Sequence, residues 1–197
     1  MVGKVQAKRD VLRAKLIELA SERIVADGAG ALKARDLASG AGCSVGAIYN
    51  LFEDLNDLVM VVNLQTFQRM GAFVSREVEA SGQKDPLEQL IVMGHAYLEF
   101  ASENSGIWRS LFDVASPDSK EAPDWYWEEM AKIFALIELP LSELHADQKP
   151  EEIKVLTRIL FSSVHGTILL GLEGSLFAVP MDGLRLMVEM LIRRFAK

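Results

Sequence analysis

The chain has 197 residues, of which 50% are hydrophobic and 25% are charged, a composition typical of a folded protein with a substantial core. Its one cysteine, Cys43, excludes an internal disulfide and a cysteine-rich zinc site, and no uncharged stretch approaches the roughly 18 residues of a membrane span. The net charge of −7 argues against a general nucleic-acid binder, and the lack of a signal-peptide pattern predicts a reducing, cytoplasmic location.

The charge is distributed unevenly along the chain. Residues 1–52 hold eight Lys or Arg and five Asp or Glu, a formal charge of +3, whereas the remainder carries −10. A basic N-terminal part, here called the basic head, followed by an acidic remainder would confine the attraction for phosphate to one end of the protein. A positive excess of this size also arises by chance. Lys4, Lys8 and Arg9 are candidates for a flexible arm along a groove, or are simply an ordinary charged terminus.

The pattern of apolar residues predicts an all-α fold of about nine helices. No period-two alternation of β-branched residues recurs, and there is no internal repeat. The first helix is predicted from about Lys8 to Asp27, with a core stripe at helical spacing and Gly28 as its end.

Residues 33–58, KARDLASGAGCSVGAIYNLFEDLNDL, predict two short helices joined by a tight turn. The Gly-Ala-Gly at 40–42 interrupts the first, because glycine disfavours helix and permits positive φ. Ser44 is placed to cap the second, whose buried side includes Ile48 and Phe52. Two short helices with a small-residue turn and a half-exposed second helix are typical of a helix-turn-helix that reads DNA.

The side chains at the starts and open sides of these helices are the predicted DNA contacts: Lys33, Arg35, Ser44, Val45, Gly46, Ala47, Tyr49 and Asn50. Lys33 and Arg35 begin the first short helix, where cations and N–H groups can meet phosphates. Tyr49 offers a hydroxyl to a phosphate or packs against the first helix, and Asn50 bonds to a base edge or stays solvated. The small residues at 44–47 let the backbone approach the groove floor but do not specify bases.

Three short motifs stand in order in this segment: RDLA at 35–38, AGCS at 41–44 and GAIY at 46–49, followed by Phe52 and Leu58. Over about the first 60 residues they resemble the TetR family of bacterial transcriptional regulators. The resemblance implies a ligand-responsive regulator, most often a repressor, and favours the phosphate role for the tyrosine of the GAIY motif.

Three positions depart from the usual pattern of this family. Lys33 stands where Ser or Thr is usual, Leu51 where His is usual, and Leu55 where the family usually has a Lys that reaches a phosphate. Lys33 is the candidate for a replacement charge at the DNA backbone.

The remainder of the chain predicts six more helices. Caps, prolines and glycines place them at about 55–80, 86–104, 105–115, 124–139, 150–174 and 182 to the C-terminus. The predicted division is a DNA-binding domain of residues 1–54 and a ligand-binding and dimerisation domain of residues 55–197.

Aromatic and methionine side chains concentrate in this second part. Each is by default a core residue, but together they could line an apolar cavity for a small effector. The predicted ligand-binding residues are Met93, Tyr97, Phe100, Trp108, Phe112, Trp127, Met130, Phe161 and His165. A lone histidine on an apolar helix is more often a hydrogen-bonded core residue. The segment with Trp108, Phe112 and the His165-Gly166 pair resembles a C-terminal domain of one branch of the TetR family.

The last two predicted helices are too apolar for one packing face each. We predict a symmetric four-helix dimer contact, formed in each subunit by Leu160, Val164, Ile168, Leu184, Met187 and Leu191. Glycines at 166 and 171 lower helix stability by up to about 1 kcal/mol each, which a close helix approach would explain. The alternative is a monomer in which these helices are merely central.

Catalytic and metal-binding patterns are absent from the sequence. There is no His-Glu-x-x-His, Cys-x-x-Cys or Glu-x-x-His spacing, so we predict no catalytic residues, no metal and no cofactor. The predicted function is a dimeric regulator of double-stranded DNA, a repressor released from a palindromic operator by a small apolar effector, with no membrane partner. Two alternatives remain: a helical enzyme or carrier that uses the cavity, and a protein-interaction module that no longer reads DNA.

Overall fold

The computed structural model describes residues 2–112, 123–173 and 178–195, with side chains from residue 5 onward. Within these ranges the fold is all-α, with nine α-helices, one short 3-10 helix at Ala29–Ala31 and no strand, which confirms the predicted class. The helices are α1 Val2–Asp27, α2 Ala34–Ala41, α3 Val45–Tyr49, α4 Leu55–Ser81, α5 Pro86–Glu103, α6 Ser105–Ser110, α7 Asp124–Leu144, α8 Pro150–Leu172 and α9 Met181–Phe195.

Contacts divide the chain into two compact units. The first comprises Met1–Phe67 and Gly106–Trp127, and the second comprises Gln68–Ser105 and Glu128–Lys197. The division therefore falls within α4, whereas the predicted boundary after residue 54, which stays a prediction, lies at its start. The first half of α4 groups with the N-terminal helices because Leu58, Val59 and Val62 belong to their core.

The core of the first unit joins α1, α2, α3, the start of α4 and α6. Its buried residues are Leu16, Ile17, Ala20, Ile24, Leu37, Ala38, Ile48, Phe52, Leu58, Val59, Val62 and Ile107. Each large aliphatic side chain buried in this way contributes about 1.5–3 kcal/mol relative to an exposed one. This core therefore holds the two short helices against α1, since neither is long enough to be stable alone.

Several helix bounds differ from the predictions. Helix α1 begins at Val2, six residues earlier than predicted, and α9 begins at Met181, which places the predicted cap Asp182 inside its first turn. The prediction that α7 ends before Pro140 is wrong, because the helix continues to Leu144. An interior proline costs about 3 kcal/mol, and here the burial of Pro140 and the following leucine offsets that cost.

The second unit contains a tightly packed group of α5, α8 and α9. A Cβ atom added to Gly94 of α5 would lie 2.7 Å from side-chain atoms of both Val188 and Ile192, so the helices approach closely at this point. A Cβ atom added to Gly171 of α8 would collide with the side chain of Leu184. The glycine at 171 thus has the close-approach explanation that its position in a helix suggested.

The predicted dimer residues require a correction. Leu160, Val164, Ile168 and Leu184 are buried inside this single chain, so they pack within the protomer and are not available to a second copy. The buried stripe of α9 runs through Leu184, Val188 and Ile192, four residues apart, and the predicted stripe through Met187 and Leu191 lies beside it. Both helices are apolar on more than one side, and sequence periodicity alone did not distinguish the sides.

Helix α8 is long and apolar enough to cross a membrane by length and composition. Its most apolar window has a mean hydropathy of 1.5, and 28% of that window is buried within the chain. The same pattern is expected of a helix that packs with one face inside its own chain and offers the other to a partner.

Candidate nucleic-acid interface

The turn between α2 and α3 has the backbone geometry that its sequence predicts. Gly42 ends α2 with φ 70°, a left-handed conformation in which glycine carries no steric penalty. The backbone N–H of Cys43 returns to the carbonyl of Ala38 at 3.0 Å. Ser44 then caps α3, and its Oγ accepts a hydrogen bond from the N–H of Ala47 at 3.2 Å, which confirms the predicted cap.

One side of α3 is anchored in the core of the first unit. Ile48 is fully buried and Phe52, just beyond the helix, is almost fully buried. The guanidinium of Arg13 on α1 lies 5.2 Å from the centre of the Phe52 ring, a cation–π contact from the neighbouring helix. The orientation of α3 is therefore set by its apolar side, and its other side is left open.

None of the eight predicted DNA contacts is buried. Val45 and Ala47 are half-buried, and the exposed members are Lys33, Arg35, Ser44, Gly46, Tyr49 and Asn50. Tyr49 exposes 49% of its surface, which argues against the alternative that it is chiefly a packing residue for α1. The open side of α3 thus carries one aromatic hydroxyl, one amide and several small residues.

Two basic side chains of α1 bind the C-terminal ends of the short helices. Arg9 donates from Nη2 to the carbonyl of Asn50 at 2.9 Å, and Lys15 donates from Nζ to the carbonyl of Ala41 at 3.1 Å. Cations are favourable at these helix ends because the last carbonyls are unpaired and the helix dipole is negative there. Arg9 therefore lies in helix α1 and binds the end of α3, which corrects the expectation that this residue belongs to a flexible arm.

The start of α4 is acidic. Asp54 Oδ1 accepts a hydrogen bond from the N–H of Asp57 at 2.8 Å, and Asp57 Oδ2 accepts one from the N–H of Glu53 at 3.1 Å. The first bond satisfies one of the free N–H groups of the helix start, and the second joins the helix to the residue before its cap. Leu55 is half-buried, and residues 51–58 contain three carboxylates and no Lys or Arg. Phosphate attraction near this helix end must come from other residues.

The predicted ligand-binding residues fall in both units. Trp108, Phe112 and Trp127 belong to the first, and Met93, Tyr97, Phe100, Met130, Phe161 and His165 belong to the second. Trp127 exposes 52% of its surface and so lies on the outside of its unit. Trp108 is fully buried, and its ring centroid lies 6.1 Å from that of Phe112.

In the second unit the structure brings three of these residues into contact. The hydroxyl of Tyr97 lies 2.8 Å from Nδ1 of His165, and the His165 ring stacks on Phe161 with centroids 5.8 Å apart. Burial lowers the pKa of His165, so the imidazole is neutral at neutral pH and its Nδ1 can accept a hydrogen bond from the tyrosine hydroxyl. Met93 and Phe100 lie on α5 four residues before and three residues after Tyr97, on the same side of the helix.

Asn63 is a buried polar residue of the first unit that was not among the predicted residues. It is completely buried on α4, and within residues 2–112, 123–173 and 178–195 neither Nδ2 nor Oδ1 has a hydrogen-bond partner. One turn later, Phe67 meets Phe112 edge-on, with ring centroids 5.9 Å apart. The sequence signal was a single asparagine inside the apolar run LVMVVNLQTF at 58–67.

Comparison with known proteins bears on the identity of this fold. A family model described as the tetracyclin repressor-like C-terminal domain matches residues 90–195, more than half of the chain. The HTH-type transcriptional regulators Mb1846 of Mycobacterium bovis and Rv1816 of Mycobacterium tuberculosis are each 23% identical over 123 residues. The match covers 62% of this chain and 53% of those proteins, so the chain spans about half the length of the curated relatives it matches.

Solved structures show the same fold at low identity. A protein of unknown function from Rhodococcus sp. RHA1 has a TM-score of 0.75 and 23% identity, covering 94% of this chain and 96% of that one. The TetR family regulator PfmR of Thermus thermophilus has a TM-score of 0.61 and 17% identity, covering 91% and 97%. RolR, solved with resorcinol, has a TM-score of 0.64 and 18% identity, covering 98% and 96%. Because the family model spans more than half of its residues, this chain belongs to the TetR family of DNA-binding transcriptional regulators, a family of regulators rather than enzymes.

Proposed function

We propose that the protein is a homodimeric repressor of the cytoplasm that reads a palindromic operator and is released by a small effector. The observation that carries this proposal is the exposed side of α3. The opposite side of this helix is buried in the core and so fixes its orientation, and exposed cations stand at the start of α2. Residues 1–54 would form the DNA-binding domain and residues 55–197 the ligand-binding and dimerisation domain.

The proposed DNA contacts divide into phosphate and base contacts. Lys33, Arg35 and Tyr49 would bind phosphates, and Asn50 would reach a base edge. Ser44, Val45, Gly46 and Ala47 would lie closest to the groove floor, where their small size permits approach. The exposed cations at the start of α2 would supply part of this attraction, since residues 51–58 hold three carboxylates and no Lys or Arg.

The proposed dimer contact uses the faces of α8 and α9 that remain exposed. The large apolar residues there expose between 45% and 58% of their surface: Val155, Ile159, Leu170, Leu186, Met187 and Met190. On α8, residues 155, 159, 162, 166 and 170 follow one another at helical spacing and form a single stripe. Such an exposed apolar face is typical of a surface that a second copy covers.

Gly166 supports the same contact. It lies within this stripe, and a Cβ atom added to it would meet nothing within 4 Å in the described part of the chain, so packing among those residues does not explain it. A glycine inside a helix is less favourable than alanine by about 1 kcal/mol, and close approach of the partner's α8 would account for its presence.

The proposed mechanism has two states. In the DNA-bound state the two α3 helices lie about 34–36 Å apart, which matches successive major grooves on one face of DNA. Effector binding would favour a second state with a different spacing, through a coupling free energy of about 1–3 kcal/mol that opposes DNA binding. RolR was solved with the small aromatic resorcinol, and we propose a small molecule with an apolar body as the effector of this chain too.

The first test of this function is selection of DNA from a random duplex pool by the purified protein, with binding measured at two salt concentrations. We expect enrichment of one short palindrome and binding that weakens steeply with salt. Tyr49→Phe should weaken binding to that palindrome without changing the fold. Failure to enrich any sequence, with only weak binding at low salt, would reject the proposed operator recognition.

One observation favours a second candidate function. The acidic start of α4, where the family usually has a phosphate-binding Lys, is compatible with a protein-interaction module that no longer reads DNA. Salt-sensitive, sequence-selective binding in the same selection would eliminate this alternative.

A further inference from the structure

We infer that Asn63 is the polar anchor of the effector site, and that the effector presents a neighbouring hydrogen-bond donor and acceptor, as a primary amide or lactam does, on an aromatic body. This inference rests on the proposed function as an effector-responsive regulator. It names the chemistry of the effector, which the family membership leaves open.

The side-chain amide of Asn63 is completely buried. Buried polar groups in folded proteins nearly always have hydrogen-bond partners, and an amide offers two N–H donors and one carbonyl acceptor. Among the residues that the structure describes, Asn63 has a partner for none of them. The carbonyl oxygen cannot be satisfied by its own helix, because every interior backbone N–H is used in the helix ladder.

Two buried hydroxyl groups of the same unit, unlike the amide of Asn63, have hydrogen-bond partners. Thr66 donates from Oγ1 to the carbonyl of Val62 at 3.0 Å, and Ser110 donates from Oγ to the carbonyl of Ile107 at 2.7 Å. Each hydroxyl is satisfied one turn back along its own helix. Thr157 in the second unit also has no partner among the described residues, but a threonine hydroxyl inside a helix can bond to a carbonyl one turn back, which an asparagine oxygen cannot do. Among the described residues nothing donates to the oxygen of Asn63, and its own helix cannot do so.

Aromatic rings close to Asn63 indicate the body of the ligand. Phe67 lies four residues later, on the same face of α4, and its ring meets Phe112 edge-on at 88°. The Trp108 ring in turn lies edge-on to Phe112, at 67°. One amide among aromatic rings is the arrangement that suits an aromatic molecule with a single polar group.

The position of Asn63 also links ligand and DNA. It directly follows Val62, which shares a hydrophobic core with Leu58 of the same helix and with Ile48 and Phe52 of the recognition segment. A ligand held at Asn63 therefore acts on the part of α4 against which α3 is packed. A shift of α4 at this point would move the buried side of α3.

The first experiment measures the thermal midpoint of unfolding of Asn63→Leu without ligand. Leucine keeps the branched shape and removes both unpaired atoms, so we expect the midpoint to rise by at least about 2 °C. Asn56→Leu, at an exposed asparagine of the same helix, is the matched control and should change it less. A lower midpoint for Asn63→Leu would mean that the amide has partners within the free protein, and would overturn the inference.

The second experiment uses benzamide as the probe, with toluene as its apolar control, on the full chain. Side-chain amide signals of ¹⁵N-labelled asparagine are recorded, and the Asn63 signal is assigned by its loss in Asn63→Leu. We expect benzamide, but not toluene, to move this signal, and benzamide to bind Asn63→Leu at least about tenfold more weakly. An unmoved signal, or equal affinity for both proteins, would overturn the inference.

Operator selection is scored separately, so that the two proposals fail independently. A selected palindrome without any benzamide response rejects the amide site and leaves the regulator. A benzamide response at Asn63 without a selected palindrome supports the site and rejects operator recognition. Where both succeed, benzamide should weaken operator binding by the wild-type protein more than by Asn63→Leu.

Discussion

Arg9 and Lys15 show how single residues of the basic head divide between internal and external partners. Both side chains bind carbonyls at helix ends, Asn50 for Arg9 and Ala41 for Lys15. These two side chains therefore have partners on the protein itself, although each keeps its charge. The cations at the start of α2 are exposed, and we expect them to bind phosphate.

Arg35→Ala should weaken binding to the selected operator and should lower the dependence of log affinity on log salt by about one unit, because one phosphate contact is lost. Arg23→Ala is the matched control, since Arg23 is exposed on α1 and pairs with Asp27 at 3.5 Å. Binding titrations at several salt concentrations check both variants. An unchanged slope for Arg35→Ala would remove this residue from the interface.

His165 should make the stability of the protein depend on pH. Burial lowers its pKa below the ordinary value of 6.5, so the unfolded chain binds a proton more readily than the folded one. Stability is then lost as pH falls below about 6.5. We expect the thermal midpoint of the wild type to fall more between about pH 7.5 and 5.5 than that of His165→Gln. Parallel curves for the two proteins would contradict this role for the histidine.

Helix α8 contains one glycine that is closely packed against another helix and one that has free space where a side chain would be. A Cβ atom added to Gly171 would collide with the buried Leu184 of α9, whereas one added to Gly166 would meet nothing within 4 Å among the described residues. Gly171→Ala should lower the free energy of unfolding by about 1–3 kcal/mol, because the added methyl group overpacks the contact with α9. Gly30→Ala is the control, because a Cβ atom added to this glycine would meet nothing within 4 Å among the described residues, and it should not lower the free energy of unfolding by this route. Urea unfolding at one protein concentration measures both, and equal losses would refute the packing argument.

The elements also show which local signals were sufficient. Asp85 caps α5 by accepting a hydrogen bond from the N–H of Glu88 at 3.0 Å, with proline next in the chain, as predicted. The end of α7 was not predictable in this way, because Pro140 is a helix-breaking signal that burial overrides. Caps act within one turn, whereas the burial that carries a helix through proline depends on distant residues.

For the whole molecule, the exposed faces of α8 and α9 predict the oligomeric state. We expect light scattering after size exclusion to give twice the mass of one chain. The double variant Ile159→Glu, Met190→Glu should be a monomer, because it places charges in an apolar contact. Val11→Glu, at a residue of α1 that exposes 69% of its surface, is the control and should remain a dimer. A monomeric wild type, or a dimeric double variant, would reject the contact.

The sequence by itself determined the all-α class, the helix-turn-helix and the family. Each rests on signals that operate over a few residues, namely helical periodicity, the Ser44 cap and the left-handed glycine at 42. The exposure of the predicted DNA contacts on α3 followed from the same signals, since burial of Ile48 determines which side of α3 is open.

Only the tertiary structure decided which helix faces are buried within the chain and which groups each side chain binds. Helices α8 and α9 are apolar on two sides, and packing within the chain buried Leu160, Val164, Ile168 and Leu184, which had been assigned to a second subunit, but left Met187 exposed. Arg9 and Asn50 are 41 positions apart, and no local pattern predicts their bond. The amide of Asn63, for which the described ranges hold no partner, became visible for the same reason. Burial and hydrogen bonding depend on residues brought together by folding, whereas periodicity and caps depend on neighbours along the chain.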